Sequence, residues 1–234
     1  MRMSQKFAIL GAVLILAVAA LAQAPTKVPL NPATDKTLVA GIGQQLGANM
    51  QALVTYTYKQ RVQVTVNGED KGTSLFQIAF GPDGKPLVTT LSSTPPQGRQ
   101  RHGLRGAVQK DMEEQAKGEI DGLVKLAAGY TMLSPPKIKD LLGKGLVLMI
   151  PAENAIRIDV KGFLVAGDEA NYKFDAANNR QSHVHVVTST GGNPVTIDAQ
   201  FQTLPSGLTT CAQTQINVPA KGIFITLNTF GYEK

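Results

Sequence analysis

The chain has no tryptophan, one cysteine and three histidines among 234 residues. A single cysteine excludes an intramolecular disulfide framework. A zinc-type site needs three or four convergent ligands, and only His183 and His185 stand close together in sequence. The low aromatic content, 6%, speaks against a strongly aromatic ligand box. Catalytic signatures are missing as well. There is no Gly-x-Ser-x-Gly elbow and no His-Glu-x-x-His pair, so neither the common serine-hydrolase nor the zincin arrangement applies. The stretch "GPDGKP" holds a glycine and a lysine but not the eight-residue phosphate-binding pattern. In "AGIGQQLG" the third glycine comes one place too late for a dinucleotide fingerprint, and no strand precedes it.

What is present begins with the amino terminus, "MRMSQKFAILGAVLILAVAALAQA". Arg2 and Lys6 precede an apolar run from Phe7 to Leu21, and small-x-small sites follow at Ala20–Ala22 and Ala22–Ala24. This is the layout of a secretory signal peptide. Cleavage is expected after Ala22, because cutting after Ala24 places Pro25 directly behind the scissile bond. No cysteine follows the apolar run to carry a lipid anchor, and no second long apolar run occurs. The expected organisation is a signal peptide at 1–22, a leader at 23–34 and one domain at 35–234. The destination is the periplasm or the exterior. Removing Arg2 and Lys6 leaves 21 basic against 17 acidic residues, a net charge of +4, which is no nucleic-acid signature. Arg99, Arg101, Arg105 and Lys110 cluster around His102. If this segment has a partner, an anionic envelope component suits it through Arg99, Arg101 and Arg105.

Periodicity then sets the elements. Leu38, Ile42, Leu46 and Met50 recur every four residues, so Asp35–Leu53 is expected to be a helix, with Gly41, Gly43 and Gly47 as close-packing points. "VTYTYKQRVQVTV" alternates with period two: Val54, Tyr56, Tyr58, Val62, Val64 and Val66 on one face, interrupted by Gln60. Asn67-Gly68 and "GPDGK" are turn chemistry, so residues 54–94 are expected to be a three-stranded meander. A helix follows from about Ala107 to Tyr130, and a shorter one capped by Ser134-Pro135-Pro136 ends at Gly143. From Ala155 on, six strands are separated by short turns. The fold class is α+β: a large curved antiparallel sheet, an unclosed barrel of about nine strands, with helices packed on the concave side.

This element order resembles the LolA/LolB-like fold, in which an unclosed antiparallel barrel is lidded by helices. It is the fold of bacterial carriers of lipoproteins in the periplasm and outer membrane. The chain also resembles a set of uncharacterised exported bacterial proteins through "YTYKQRVQV", "NGEDKG", "GPDGKP" and "LPSGLTTCAQTQINVPAKGIFI". The resemblance covers nearly all of residues 35–234. It implies a non-enzymatic carrier of a lipid, lipoprotein or other apolar ligand, and its motifs, being mostly turns, assign no functional residue.

Individual residues are read accordingly. The apolar face of the first strands is expected to line a cavity through Tyr56, Tyr58, Val62, Val64, Phe76, Ile78 and Phe80, although plain core packing under the helices satisfies the same pattern. Alternation makes Val184 and Val186 core residues and leaves His183 and His185 on the wetter face. Glu113, Glu114, Glu119 and Asp121 are expected to be a solvated helix face. Cys211, in a strand without a neighbouring base, is expected to be a small buried residue. No catalytic residue, metal or cofactor is expected, and the chain is expected to be a monomer. The competing reading is a structural or interaction protein of the envelope that uses its polar sheet face, with Thr55, Lys59 and Arg61, or the basic loop. A hollow of several hundred cubic ångströms would favour a carrier, and a filled interior a scaffold.

Overall fold

The computed structural model describes residues 28–29, 32–94 and 104–234. The expected signal peptide, Arg99, Arg101 and His102 lie outside the described residues, as do the side chains of Arg105, Lys110, Glu113 and Glu114.

Helix α1 (Pro32–Leu53) leads into strands β2 (Thr57–Val66), β3 (Glu69–Phe80) and β4 (Pro86–Thr94). A two-residue strand, β1 (Val28–Pro29), precedes them. Helices α2 (Leu104–Thr131) and α3 (Pro135–Lys144) follow. Seven strands complete the chain: β5 (Leu146–Ile150), β6 (Ala155–Lys161), β7 (Glu169–Asp175), β8 (Gln181–Thr190), β9 (Asn193–Thr203), β10 (Thr209–Val218) and β11 (Ile223–Glu233). All join one antiparallel sheet in the order β1-β5-β6-β7-β8-β9-β10-β11-β2-β3-β4. Strand β11 docks on β2, with Ile225 opposite Val64 and Leu227 opposite Val62. The C-terminal strand therefore carries the seven-strand run onto the N-terminal meander. The edges β1 and β4 do not meet, so the barrel stays open. This is the α+β, unclosed-sheet architecture expected from the sequence.

The strand count is a correction. The sheet has ten long strands rather than about nine, because "LVLMI" forms β5. Its apolar run is continuous, so it shows no period-two alternation, and beyond the exposed Leu146 both its faces are partly or fully covered. A short 3-10 turn, Pro151–Glu153, with Asn154 left-handed at φ 46°, folds it back onto β6. The same device, Pro219–Lys221 with Gly222 at φ 61°, joins β10 to β11. At Asn67-Gly68 both residues take positive φ, 52° and 80°, the tight turn that suits the twist of paired strands.

One face of the sheet is largely apolar across seven successive strands. In register it runs Ile158, Tyr172, Val184, Ala199, Thr214, Leu227 and Val62. Ile156, Tyr172, Phe174, Ile197, Ile216 and Ile225 are fully buried there, and burial of each side chain of this size contributes roughly 1.5–3 kcal/mol. The helices cover this face with Ile42 and Leu46 from α1, Leu123, Ala127 and Tyr130 from α2, and Ile138 and Leu141 from α3.

Two of the three α1 glycines are tight. A Cβ on Gly43 would sit 3.0 Å from Leu142 of α3, and one on Gly41 would sit 2.8 Å from the Asn179 amide. Gly47 has open space instead. Ser134 occupies the N-cap position of α3 but makes no side-chain cap bond; of the two positions that could donate to it, Pro136 has no N–H.

Candidate functional site: an apolar hollow with a polar end

The helices do not fill the concave face. A cavity of about 340 Å³ remains between α1, the C-terminal half of α2 and strands β2–β4 and β8–β11. Leu46, Met50 and Leu53 line it from α1, Val124 and Ala128 from α2, and Met132 from just beyond the end of α2. The sheet contributes Tyr58, Ile78, Val88, Phe201 and Leu227.

Its polar residues arise where the core-facing column of a strand changes character. On β2 the column Tyr58, Gln60, Val62, Val64 is broken by Gln60, and Gln60 lines the cavity. On β11 the column Ile223, Ile225, Leu227 ends in Thr229, which also lines it. On β10 strict alternation from Val218, Ile216 and Thr214 would point Ala212 inward. A bulge between Cys211 and Gln213 breaks that count and brings Cys211 to the cavity wall.

Thr229 and Cys211 belong to one hydrogen-bonded group with Tyr232 and Thr214. Tyr232 donates to Thr229 Oγ1 at 3.0 Å, and the Thr229 hydroxyl donates to the Cys211 carbonyl. Cys211 Sγ lies 3.1 Å from Thr214 Oγ1. Tyr232 also stacks on Tyr58, with centroids 5.1 Å apart. Burial pushes the Tyr58 phenol and the Cys211 thiol up from their ordinary pKa values, so both stay neutral. A neutral thiol is a poor nucleophile, and among the described residues no histidine or carboxylate lines the cavity to serve as its base. The arrangement can enclose an apolar group.

Asn49 ties α1 to the sheet beside this wall. Its Nδ2 donates to the Thr209 carbonyl at 2.6 Å, while the Thr209 N–H donates to its Oδ1 at 2.7 Å. The side-chain amide thus pairs with the β10 backbone as a strand would. Outside the cavity lining, Asp168, which is 1% exposed, ties the 163–165 loop to α2. Its carboxylate accepts the N–H groups of Phe163, Leu164 and Val165 at 2.7, 2.9 and 2.9 Å and the hydroxyl of Tyr130 on α2. Burial alone would raise its pKa, but these four donors outweigh it and hold the carboxyl below its ordinary value.

Of the seven residues singled out from the sequence, Tyr58 and Ile78 line the cavity. Val62 and Val64 lie in the packed core, and Phe76 packs against it. Phe80 tilts against Tyr58 at 6.3 Å. Tyr56 is buried ahead of β2, with the Lys234 ammonium 5.5 Å from its ring. Sequence reading missed the contributions of α1, α2, β10 and β11; the polar interruptions at Gln60 and Thr229 were the signal that could have revealed them.

Val184 and Val186 are fully buried, as alternation requires, and His183 and His185 face outward. Both rings close on one oxygen of Asp198, at 3.3 and 3.0 Å. That residue is the register partner of His185 on β9, a cross-strand pairing that sequence distance hides. Among the described residues, no group of three or more His, Cys, Asp or Glu is arranged to hold a metal ion.

No protein-family model and no curated protein matches the chain. Among solved structures it is similar to a DUF1329 family protein from Desulfovibrio piger, at 11% identity and a TM-score of 0.41. The alignment covers 83% of this chain and 92% of that one. It is similar also to a LolA superfamily protein from Nitrosomonas europaea, at 7% identity and a TM-score of 0.39, over 82% of this chain and 92% of that one. Likeness of this degree transfers neither ligand nor activity.

Proposed function

We propose that the protein is a non-enzymatic carrier or binding protein of the cell envelope for a lipid or other acylated, apolar ligand. The cavity carries this reading. A hollow of about 340 Å³ falls within the roughly 300–1,000 Å³ range of small-molecule sites, whereas a scaffold has no need to leave its core unfilled. Tyr58 and Ile78 contact the ligand, together with Leu46, Met50, Val124 and Met132. Val62, Val64, Phe76, Phe80 and Tyr56 support that wall from behind or beside it. Export rests on the 1–22 signal peptide, and no described helix is long and apolar enough to cross a membrane. The protein acts as a monomer, and Arg99, Arg101 and Arg105 offer contacts to an anionic envelope partner.

Native mass spectrometry of protein purified from the envelope tests the reading, alongside uptake of a fluorescent fatty acid. A co-purifying lipid or saturable uptake is expected. Repeated absence of lipid combined with no uptake would overturn the carrier reading in favour of a structural role.

A further inference from the structure

The charge of the cavity wall is one-sided. Arg180 and Lys125 line it, and among the described residues no aspartate or glutamate does. Among the described residues neither cation has an ion-pair partner. Arg180 ends the turn between β7 and β8, and its guanidinium reaches the turn between β9 and β10, with Nη2 3.6 Å from where Gly207 would carry a Cβ. Its neighbour Gln181 lines the cavity at 7% exposure, and the Gln181 Nε2 is buried without a hydrogen-bond partner. A buried amide N–H without a partner is unfavourable, so an acceptor oxygen placed there relieves that cost. Thr210 and the Asn49–Thr209 clamp complete this end. Away from it stand Tyr58, Ile78 and Val88 on β2–β4.

Resting on the carrier reading, we propose that the ligand is a single acyl or alkyl chain ending in an oxyanion. The head lies against Arg180 and Gln181, and the tail runs toward Tyr58 and Ile78. Guanidinium and amide donors recognise oxyanion oxygens by charge-assisted hydrogen bonds. Size favours a single chain, since about 340 Å³ lies near the lower bound of ligand cavities, roughly 300 Å³.

The test is displacement of cis-parinaric acid from the mature full-length protein. The competitors are palmitate, hexadecyl phosphate, methyl palmitate, hexadecyltrimethylammonium and a diacyl phosphatidylcholine. Palmitate or hexadecyl phosphate should compete at least tenfold better than the ester, the cation and the two-chain lipid, and the stronger of the two names the head group. Arg180→Gln should remove most of that advantage, Gln181→Leu should weaken acid and ester alike because the carbonyl oxygen of either can accept from the Gln181 amide, and Arg180→Lys should retain part of the advantage. Circular dichroism confirms that each variant is folded. Equal competition by anion, ester and cation, or tighter binding of the two-chain lipid, overturns this assignment and leaves the carrier reading standing. Failure of every chain to bind overturns the carrier reading itself.

Discussion

Replacing Asp168 with alanine should unfold the protein far more easily than its distance from any chemistry suggests. The carboxylate receives four donors, three backbone N–H groups from 163–165 and the Tyr130 hydroxyl. Phe163 and Tyr130 are buried, so their donors find no water when the acceptor goes. Each such orphan costs about 1–3 kcal/mol, which places Asp168→Ala near 4 kcal/mol. The Leu164 and Val165 donors are only half-buried and regain water, so they add little. Against a total stability on the order of 5–15 kcal/mol, that is a large fraction. It corresponds to a fall of about 8–16 °C in Tm for a chain of this size. Urea and thermal unfolding of the mature protein, followed by circular dichroism, measure it. Tyr130→Phe, which deletes one donor and orphans none, should cost only about 1 kcal/mol. The folded carboxyl titrates below its ordinary value. The stability it contributes is therefore complete above the unfolded pKa of about 3.9 and is lost as pH falls through the lower folded value. Asp168→Asn should flatten that acid limb. An Asp168→Ala variant within 1 kcal/mol of the parent would refute this account of the 163–168 loop. Because Tyr130 adjoins Thr131, Met132 and Leu133 of the cavity wall, the same variant should also loosen ligand retention.

Two further expectations concern residues that attract attention in the sequence. His183→Gln with His185→Gln should leave stability within about 1 kcal/mol and ligand uptake unchanged at pH 7.5, since exposed pairs are worth little and all three side chains are more than a third exposed; a larger loss in urea titration would show that the Asp198 cluster is structural. The Cys211 thiol, raised by burial, should react with a disulfide reagent slowly in the folded state and fully in urea. Occupation of the cavity should slow it further, and equal rates with and without bound fatty acid would place Cys211 off the ligand's path.

The strands that alternate cleanly were legible because one of their faces is dry and the other wet. "YTYKQRVQV" and "SHVHVVTS" assign each side chain to a face by counting in twos, and burial of Tyr58, Val62, Val64, Val184 and Val186 follows that count. Strand β5 was not legible: when both faces are apolar, periodicity carries no information. The cavity was half-legible. Tyr58 and Ile78 belong to the apolar column that suggested it, but Val62 and Val64, in the same column, are covered completely. Where the helices stop covering the sheet depends on their length and angle, and no pattern within β2 records either.

By itself, then, the sequence determined the class of fold, the order of its elements, the inward set of each alternating strand and the turn positions. All of these are local consequences of side-chain period and backbone preference. Only the tertiary structure decided that β11 closes onto β2, that Asp198 gathers two histidines from the neighbouring strand, and that Arg180 and Gln181 stand at one end of a hollow. Those are meetings between segments far apart in the chain. They are set by sheet register, by the Cys211 bulge and by the way α1 and α2 lie across the strands, and none of these is written in the spacing of neighbouring residues.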